Sequence, residues 1–207
     1  MEPQAKDLLR LAGMDVPRFV STGDVTEAIR FANEIRYPVV VKVVSPEAIH
    51  KSDVSGVVLG VPGDIKLGEV FAEMGKIRGF QGIIVEEAVS GVELIVGMKM
   101  DKQFGPVILL GMGGTAVEIY KDVALRMAPL REQDAESMLI SLKGRPLLEG
   151  YRGSDGVNID ELKRMLLRFS SLVMEFGKEV DSMDLNPVIC NNSRCVVADA
   201  RIMLARS

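Results

Sequence analysis

Lys42 sits inside the apolar run 38–44, PVVVKVV. An ammonium group there is costly unless it reaches an anion or water. On pattern alone, a lysine facing solvent from an edge strand is the simpler reading. Residues 50–56, HKSDVSG, form a small, polar loop between two apolar runs. Such a loop can offer backbone N–H groups to phosphate oxygens. It lacks the GxxxxGK[ST] spacing of a Walker A motif, and a surface hairpin accounts for it as well. His50, the only histidine, has a neutral ring nitrogen that is nucleophilic near pH 7 and competent to carry a phosphoryl group. An exposed loop histidine is the plainer account. Near the C-terminus, Asp184 and Asn186 lie two residues apart in a strand-like run, which puts both on one face. Asp199 lies on the following run, and a hairpin would bring it alongside. Asp, Asn and Asp oxygens suit Mg²⁺; a polar strand end with Asn–Pro turn chemistry explains them equally well. Gly111-Met112-Gly113-Gly114 opens no helix with GxGxxG spacing, and reads as a backbone bend where a phosphate or a partner comes close. Arg126 and Arg152 suit anion or interface contacts, and ordinary surface arginines just as well.

The elements that must position these groups are short and mixed. Helical spacing predicts helices over 5–12, 24–35, 64–78, 131–141 and 159–176. The last has apolar residues at Leu162, Met165, Leu166, Phe169, Leu172, Val173 and Phe176, close to a 3.6-residue period. β-Branched runs predict strands over 38–44, 57–61, 82–87, 93–100 and 105–110, the last two joined as a hairpin across 101–104. The runs DSMDLNPVIC and CVVADARIML read as a closing antiparallel pair. Frequent hairpins among helices argue for α+β rather than a regular parallel α/β sheet.

Composition narrows the function classes. The 207 residues are 47% hydrophobic, and the net charge is −4. That is enough apolar material for a sizeable core, with no basic run to favour nucleic acid or an anionic membrane. Charged residues interrupt every apolar stretch before it reaches the length of a membrane span. The N-terminus, MEPQAKDLLR, lacks the apolar core of a signal peptide. Cys190 and Cys195, the only cysteines, flank a tight turn; a disulfide across it is one reading, and free thiols of a cytoplasmic protein are the expected one.

From about residue 37 to 203 the sequence resembles the ATP-grasp domain of ADP-forming acyl-CoA synthetases. It is similar, more distantly, to the β subunit of succinyl-CoA synthetase. The residues that carry this are YPVVVKVVSPEAIHKSDVSGVVLGV, GIIVEEAVSGVELIVGMKMDKQFGPVILLGMGG, LLEGYRG and MDLNPV…VVADARIML, with AKDLLRLAGMDVP resembling the family's opening helix. The resemblance implies an α+β ATP-grasp fold of two subdomains, 1–87 and 88–207, with the nucleotide in the cleft between them. It implies that Lys42 contacts phosphates and that the loop with Lys51, Ser52 and Gly56 covers them. Glu86 would receive the adenine amino group, the linker at Val89 would supply backbone contacts, and Glu93 would hold the ribose. Asn186 and Asp199 would bind Mg²⁺ with Asp184 near them, and His50 would relay a phosphoryl group to ADP. The implied reaction is acyl-CoA plus phosphate plus ADP giving a carboxylic acid, CoA and ATP. It would need a separate CoA-binding α subunit in an α₂β₂ assembly. Two departures stand out: Ser55 replaces the family's usual glycine, and the stretch 61–82 is short. The alternatives are a regulatory nucleotide-binding module of an acetyltransferase-type protein and a carboxylate–amine ligase. The HKSD segment speaks against the second.

Overall fold

A computed structural model describes residues 2–47, 55–114, 121–153 and 155–205. Two compact units emerge, Pro17–Val89 and Glu2–Val16 with Ser90–Ser207. The expected division at 87/88, with the N-terminal helix in the first part, is therefore corrected. Helix α1 (Glu2–Leu11) belongs to the second unit. The reason is packing: Ala5, Leu9 and Met14 join the core of that unit, and Val197 N–H donates to the Asp15 carbonyl at 2.8 Å.

The first unit contains β1 (Phe19–Thr22), α2 (Val25–Ile35), β2 (Val39–Val44), β3 (Val57–Val61), α3 (Asp64–Met74) and β4 (Gly82–Glu87). Asp24 caps α2 by accepting from the Thr26 N–H at 2.8 Å, satisfying a donor that the first helical turn leaves open. The strands form one antiparallel sheet in the order β1-β4-β2-β3. Val39, Val41, Val43, Ile83 and Val85 alternate onto the face that α2 and α3 cover, meeting Ala28, Ala32, Leu67 and Val70. β1 has no counterpart among the predicted strands. Its four residues, FVST, are too few to show a period, and pairing with β4 decides their form.

The second unit holds β5 (Val92–Asp101), β6 (Gly105–Met112), β7 (Val123–Met127), α4 (Glu132–Ser141), α5 (Arg145–Glu149), α6 (Ile159–Phe176), β8 (Val180–Cys190), β9 (Cys195–Val197) and β10 (Ala200–Leu204). Its sheet runs β10-β8-β5-β6-β7, with β9 also on β8. The predicted apolar stripe of α6 is buried on it: Leu162, Leu166, Phe169 and Val173 are fully shielded. The expected closing strand pair is one long strand, β8, against two short ones, because the partner run breaks at Ala198 and Asp199. Strand β7 and the five-residue α5 are additions to the sequence reading.

The free-thiol expectation is overturned. Register places Cys190 directly opposite Cys195 on β8 and β9, with Cα atoms 4.1 Å apart, and the two sulfurs are bonded. Asn191 builds the turn between them, its side-chain oxygen accepting from the N–H groups of Ser193 at 3.0 Å and Arg194 at 3.1 Å. Gly91 packs against the same end of β8, where an added Cβ would lie 2.7 Å from the carbonyl carbon of Cys190. Replacing Gly91 by alanine is expected to lower stability by about 1–3 kcal/mol, because backbone cannot yield as a side chain can. Thermal unfolding measures this, and an unchanged midpoint would show that the strands part there without strain. Among the described residues no helix is long and apolar enough to cross a membrane.

Candidate functional site

Lys42 and Glu86 come together within the first unit. Val40 pairs with Glu86 and Lys42 with Ile84 across β2 and β4, so both polar side chains emerge on the face that α2 and α3 leave uncovered. Lys42 Nζ lies 2.6 Å from a Glu86 carboxylate oxygen. Their residues are only 5% and 2% exposed. The solvent-facing edge lysine is thereby corrected: β2 is an interior strand, with β4 and β3 on either side, and its lysine is buried in an ion pair. Removing two charges from water carries a desolvation penalty of several kcal/mol per ion, so such a pair is weak evidence of a purely stabilising role. The cation suits a phosphate, and the carboxylate suits an amino or hydroxyl donor.

Val89 lies half-buried in the linker after β4, at the end of the first unit. At the far end of β2, the Gly56 carbonyl accepts from Val43 N–H at 2.8 Å. Ser55 beside it holds φ = +55°, a left-handed conformation that glycine adopts more readily than serine. His50, Lys51 and Ser52 lie outside the described residues.

The second unit presents Glu93, Asp184, Asn186 and Asp199. Glu93 begins β5, and its carbonyl accepts from Gly113 N–H at 2.7 Å. A Cβ on Gly113 would come within 2.9 Å of the Glu93 backbone. Gly111 and Met112 still belong to β6, the bend comes only after them, and what approaches Gly113 is the chain's own Glu93. Gly113 thus positions the end of β5 that carries this carboxylate, a support that glycine spacing alone does not disclose. Gly97 on β5 faces Asp184, and Arg201 on β10 faces it from the other side. Desolvation by the surrounding protein pushes the Asp184 carboxyl above its ordinary range, while Arg201 pulls it down.

Asn186 and Pro187 lie inside β8, which overturns the strand-end turn. They stand where the β5–β8 register slips, since Leu94 pairs with Val188 and Val96 with Leu185. A bulge tolerates a proline and re-aims the residue beside it. Asn186 N–H donates to the Asp199 carbonyl at 3.1 Å, so the two expected metal ligands are neighbours. Among the described residues no three His, Cys, Asp or Glu side chains gather as a metal cluster. The Asn186–Asp199 hydrogen bond joins their backbones, placing a residue with a carboxamide beside one with a carboxylate, with Asp184 two residues away along β8. That fits Mg²⁺, which keeps several waters and phosphate oxygens and needs only one or two protein carboxylates.

The two arginines are accounted for within the unit. Arg126 donates to Ser137 Oγ at 2.9 Å and to the Leu125 carbonyl at 2.7 Å. Arg152 lies over the Tyr151 ring, 5.3 Å from its centroid. A buried carboxylate that sequence reasoning missed, Asp122, accepts from the N–H groups of Lys143 at 2.8 Å and Gly144 at 2.7 Å. It pins the start of β7 to the approach to α5.

With this geometry in hand, the relatives are informative. The ATP-grasp domain family matches residues 1–204. The β subunit of ADP-forming acetate–CoA ligase I from Pyrococcus furiosus is 39% identical, over 99% of this chain and 91% of that subunit. ADP-forming acetate–CoA ligase I from Archaeoglobus fulgidus is 42% identical over 95% of this chain but 30% of its own length. Acetyl-coenzyme A synthetase 1 of Ca. Korarchaeum cryptofilum has been solved with coenzyme A and Mg-AMPPCP, its phosphohistidine segment pointing towards the nucleotide-binding site. That chain superimposes with a TM-score of 0.87 at 40% identity, over 99% of this chain and 92% of that one.

Proposed function

This chain belongs to the ATP-grasp domain family, alongside the β subunits of ADP-forming acetate–CoA ligases, and we propose from that premise that it is the nucleotide-binding subunit of an ADP-forming acyl-CoA synthetase. The complete reaction is acyl-CoA plus phosphate plus ADP giving a carboxylic acid, CoA and ATP. The observation that carries this reading is the Lys42–Glu86 pair, two charges held almost out of water where a purely structural sheet would place apolar groups. Coverage of 91% of a β subunit but 30% of the Archaeoglobus fulgidus ligase supports a nucleotide-binding part that works with a CoA-binding α subunit; the assembly we propose is α₂β₂. The cytoplasm, with its pool of Mg²⁺ and adenine nucleotides, is where such a subunit would work.

Roles follow from donor chemistry. Lys42 neutralises phosphate oxygens, and Glu86 accepts from the adenine amino group while holding the lysine in place. Backbone groups near Val89 meet the ring. Glu93, held at the start of β5 by the Gly113 bend, accepts from the ribose hydroxyls. Lys51, Ser52 and Gly56 cover the phosphates. Asn186 and Asp199 would hold Mg²⁺ with Asp184 beside them, and the ion would supply charge neutralisation for the phosphate. His50 presents the phosphoryl group to ADP.

The reading is tested by combining the chain with a CoA-binding partner and measuring ATP formed from acetyl-CoA, phosphate and ADP. Formation of neither ATP from ADP nor GTP from GDP, with any of several acyl-CoA substrates, would overturn it. Asn186→Ala and Asp199→Ala should each weaken Mg·ADP binding, by roughly 10- to 100-fold on the scale of lost metal-site support. Calorimetric titration with and without Mg²⁺ reads this; unchanged affinity in both variants would refute the metal assignment.

A further inference from the structure

A cavity of about 240 Å³ lies beside the disulfide, and none of its lining residues belongs to the nucleotide and metal groups described above. Arg164 and Arg168 of α6, Arg194 and Cys195 line it, together with Asp15 and Glu161. Three guanidiniums against two carboxylates leave one net positive charge. Arg168 donates to the Gly13 carbonyl. Arg164 lies 2.8 Å from a Glu161 carboxylate oxygen. Each of these contacts engages one terminal nitrogen, and a guanidinium has five N–H donors, so both arginines are steadied while retaining donors to offer an anion. Arg194 is fixed through its backbone: its N–H donates to the Asn191 side-chain oxygen at 3.1 Å, and its carbonyl accepts from the Asn191 N–H at 3.0 Å. Sites for drug-sized ligands begin at roughly 300 Å³, so this one suits a small anion rather than a nucleotide.

Cys195 makes the cavity more than an anion site. Cys190 is completely buried and Cys195 is 5% exposed, so a reagent entering the cavity meets the Cys195 end of the bond. Disulfides in a reducing cytoplasm, where this subunit is proposed to work, are mostly transient and redox-sensing. We propose that the cavity is a thiol–disulfide exchange site, in which a small anionic thiol seats its charge on the arginines and reduces the Cys190–Cys195 bond. In the first step the thiolate attacks Cys195 Sγ. The bond between the cysteines breaks and its electron pair goes to Cys190 Sγ. That sulfur takes up the proton the thiol released, because burial disfavours its charge. A second thiolate, its proton lost to solvent, then attacks the sulfur of the bound thiol. The symmetric disulfide of the thiol departs, and Cys195 is left as a thiolate, which nearby guanidiniums favour. Two thiols are oxidised and one disulfide is reduced, so the electrons balance. The exchange unties β9 from β8 at the pair next to the Asn191 turn.

The test uses the full chain, isolated in its disulfide form, and three two-carbon thiols: 2-mercaptoethanesulfonate, 2-mercaptoethanol and cysteamine. Their charges are negative, neutral and positive. Disulfide loss is followed by alkylation and mass spectrometry at equal thiolate concentration and equal ionic strength. The same chain unfolded in urea supplies the reference rate for each thiol. Relative to that reference, the sulfonate should outpace cysteamine about tenfold or more on the folded chain, since opposite charges at contact attract even in water. 2-Mercaptoethanol should fall between them, and added salt should narrow the gap. The double variant Arg164→Gln/Arg194→Gln should lose the preference, while Arg164→Lys/Arg194→Lys should keep most of it. Equal rate ratios on the folded and unfolded chain would overturn the proposal. So would reduction by every thiol only at the rate of global unfolding, or a chain whose two cysteines no mild oxidant joins.

Discussion

Replacing Lys42 by methionine is expected to abolish nucleotide binding and to lower stability by about 3–5 kcal/mol, the usual penalty for breaking a buried pair from one side. Methionine keeps most of the volume and the unbranched shape, so packing changes little. What is lost is the charge that faces Glu86 at 2.6 Å. The glutamate carboxylate stays where β4 puts it, almost out of water, without its lysine. The double variant Lys42→Met/Glu86→Gln removes both charges and should regain a large part of the stability, because contacting residues do not add independently. It should not regain nucleotide binding, since neither the phosphate cation nor the amino-group acceptor returns. Urea unfolding and Mg·ADP titration separate the two effects. A Lys42→Met protein that unfolds at the wild-type urea concentration would show that the pair contributes nothing, and nucleotide binding at wild-type affinity would remove Lys42 from the site.

The second large effect is expected at His50. It is the only histidine in the chain, so any phosphohistidine formed on this subunit must be there. With the CoA-binding partner, acetyl-CoA and labelled phosphate, the chain should acquire an acid-labile, base-stable label. His50→Ala should remove that label and reduce ATP formation to background while Mg·ADP affinity stays within about twofold, since the ring's role is nucleophilic rather than adhesive. Normal ATP formation by His50→Ala would end the relay assignment and leave the partner's histidine to act directly on the nucleotide.

Much of the fold was legible because it rests on local periodicity. The stripe of α6, the valine run of β2 and the β5–β6 hairpin each bury in the form their spacing demands. The helix α2 starts at a capping aspartate that the sequence displays. Elements without a period of their own were not legible. β1 is four residues long, and β7 inverts the usual pattern with its arginine inward, so both exist only through their neighbours. The fate of Cys190 and Cys195 depended on register, since five residues of separation fit a free pair as well as a bonded one.

The candidate site divides along the same line. Residue types raised Lys42, Asp184, Asn186 and Asp199 as candidates beside plainer readings, and only the resemblance to the ATP-grasp family added Glu86 and Glu93 to them. Their juxtaposition belongs to tertiary structure. Lys42 and Glu86 are 44 positions apart and meet only because β4 inserts between β1 and β2 in antiparallel register. Asn186 and Asp199 meet through a bulge in β8 facing a break between β9 and β10. Lys42 shows the difference in one residue. Its sequence context favoured an exposed ammonium, because burying a lone charge is prohibitive. The fold reversed that by supplying the opposite charge from a distant strand, and no local pattern contains that second half of the pair.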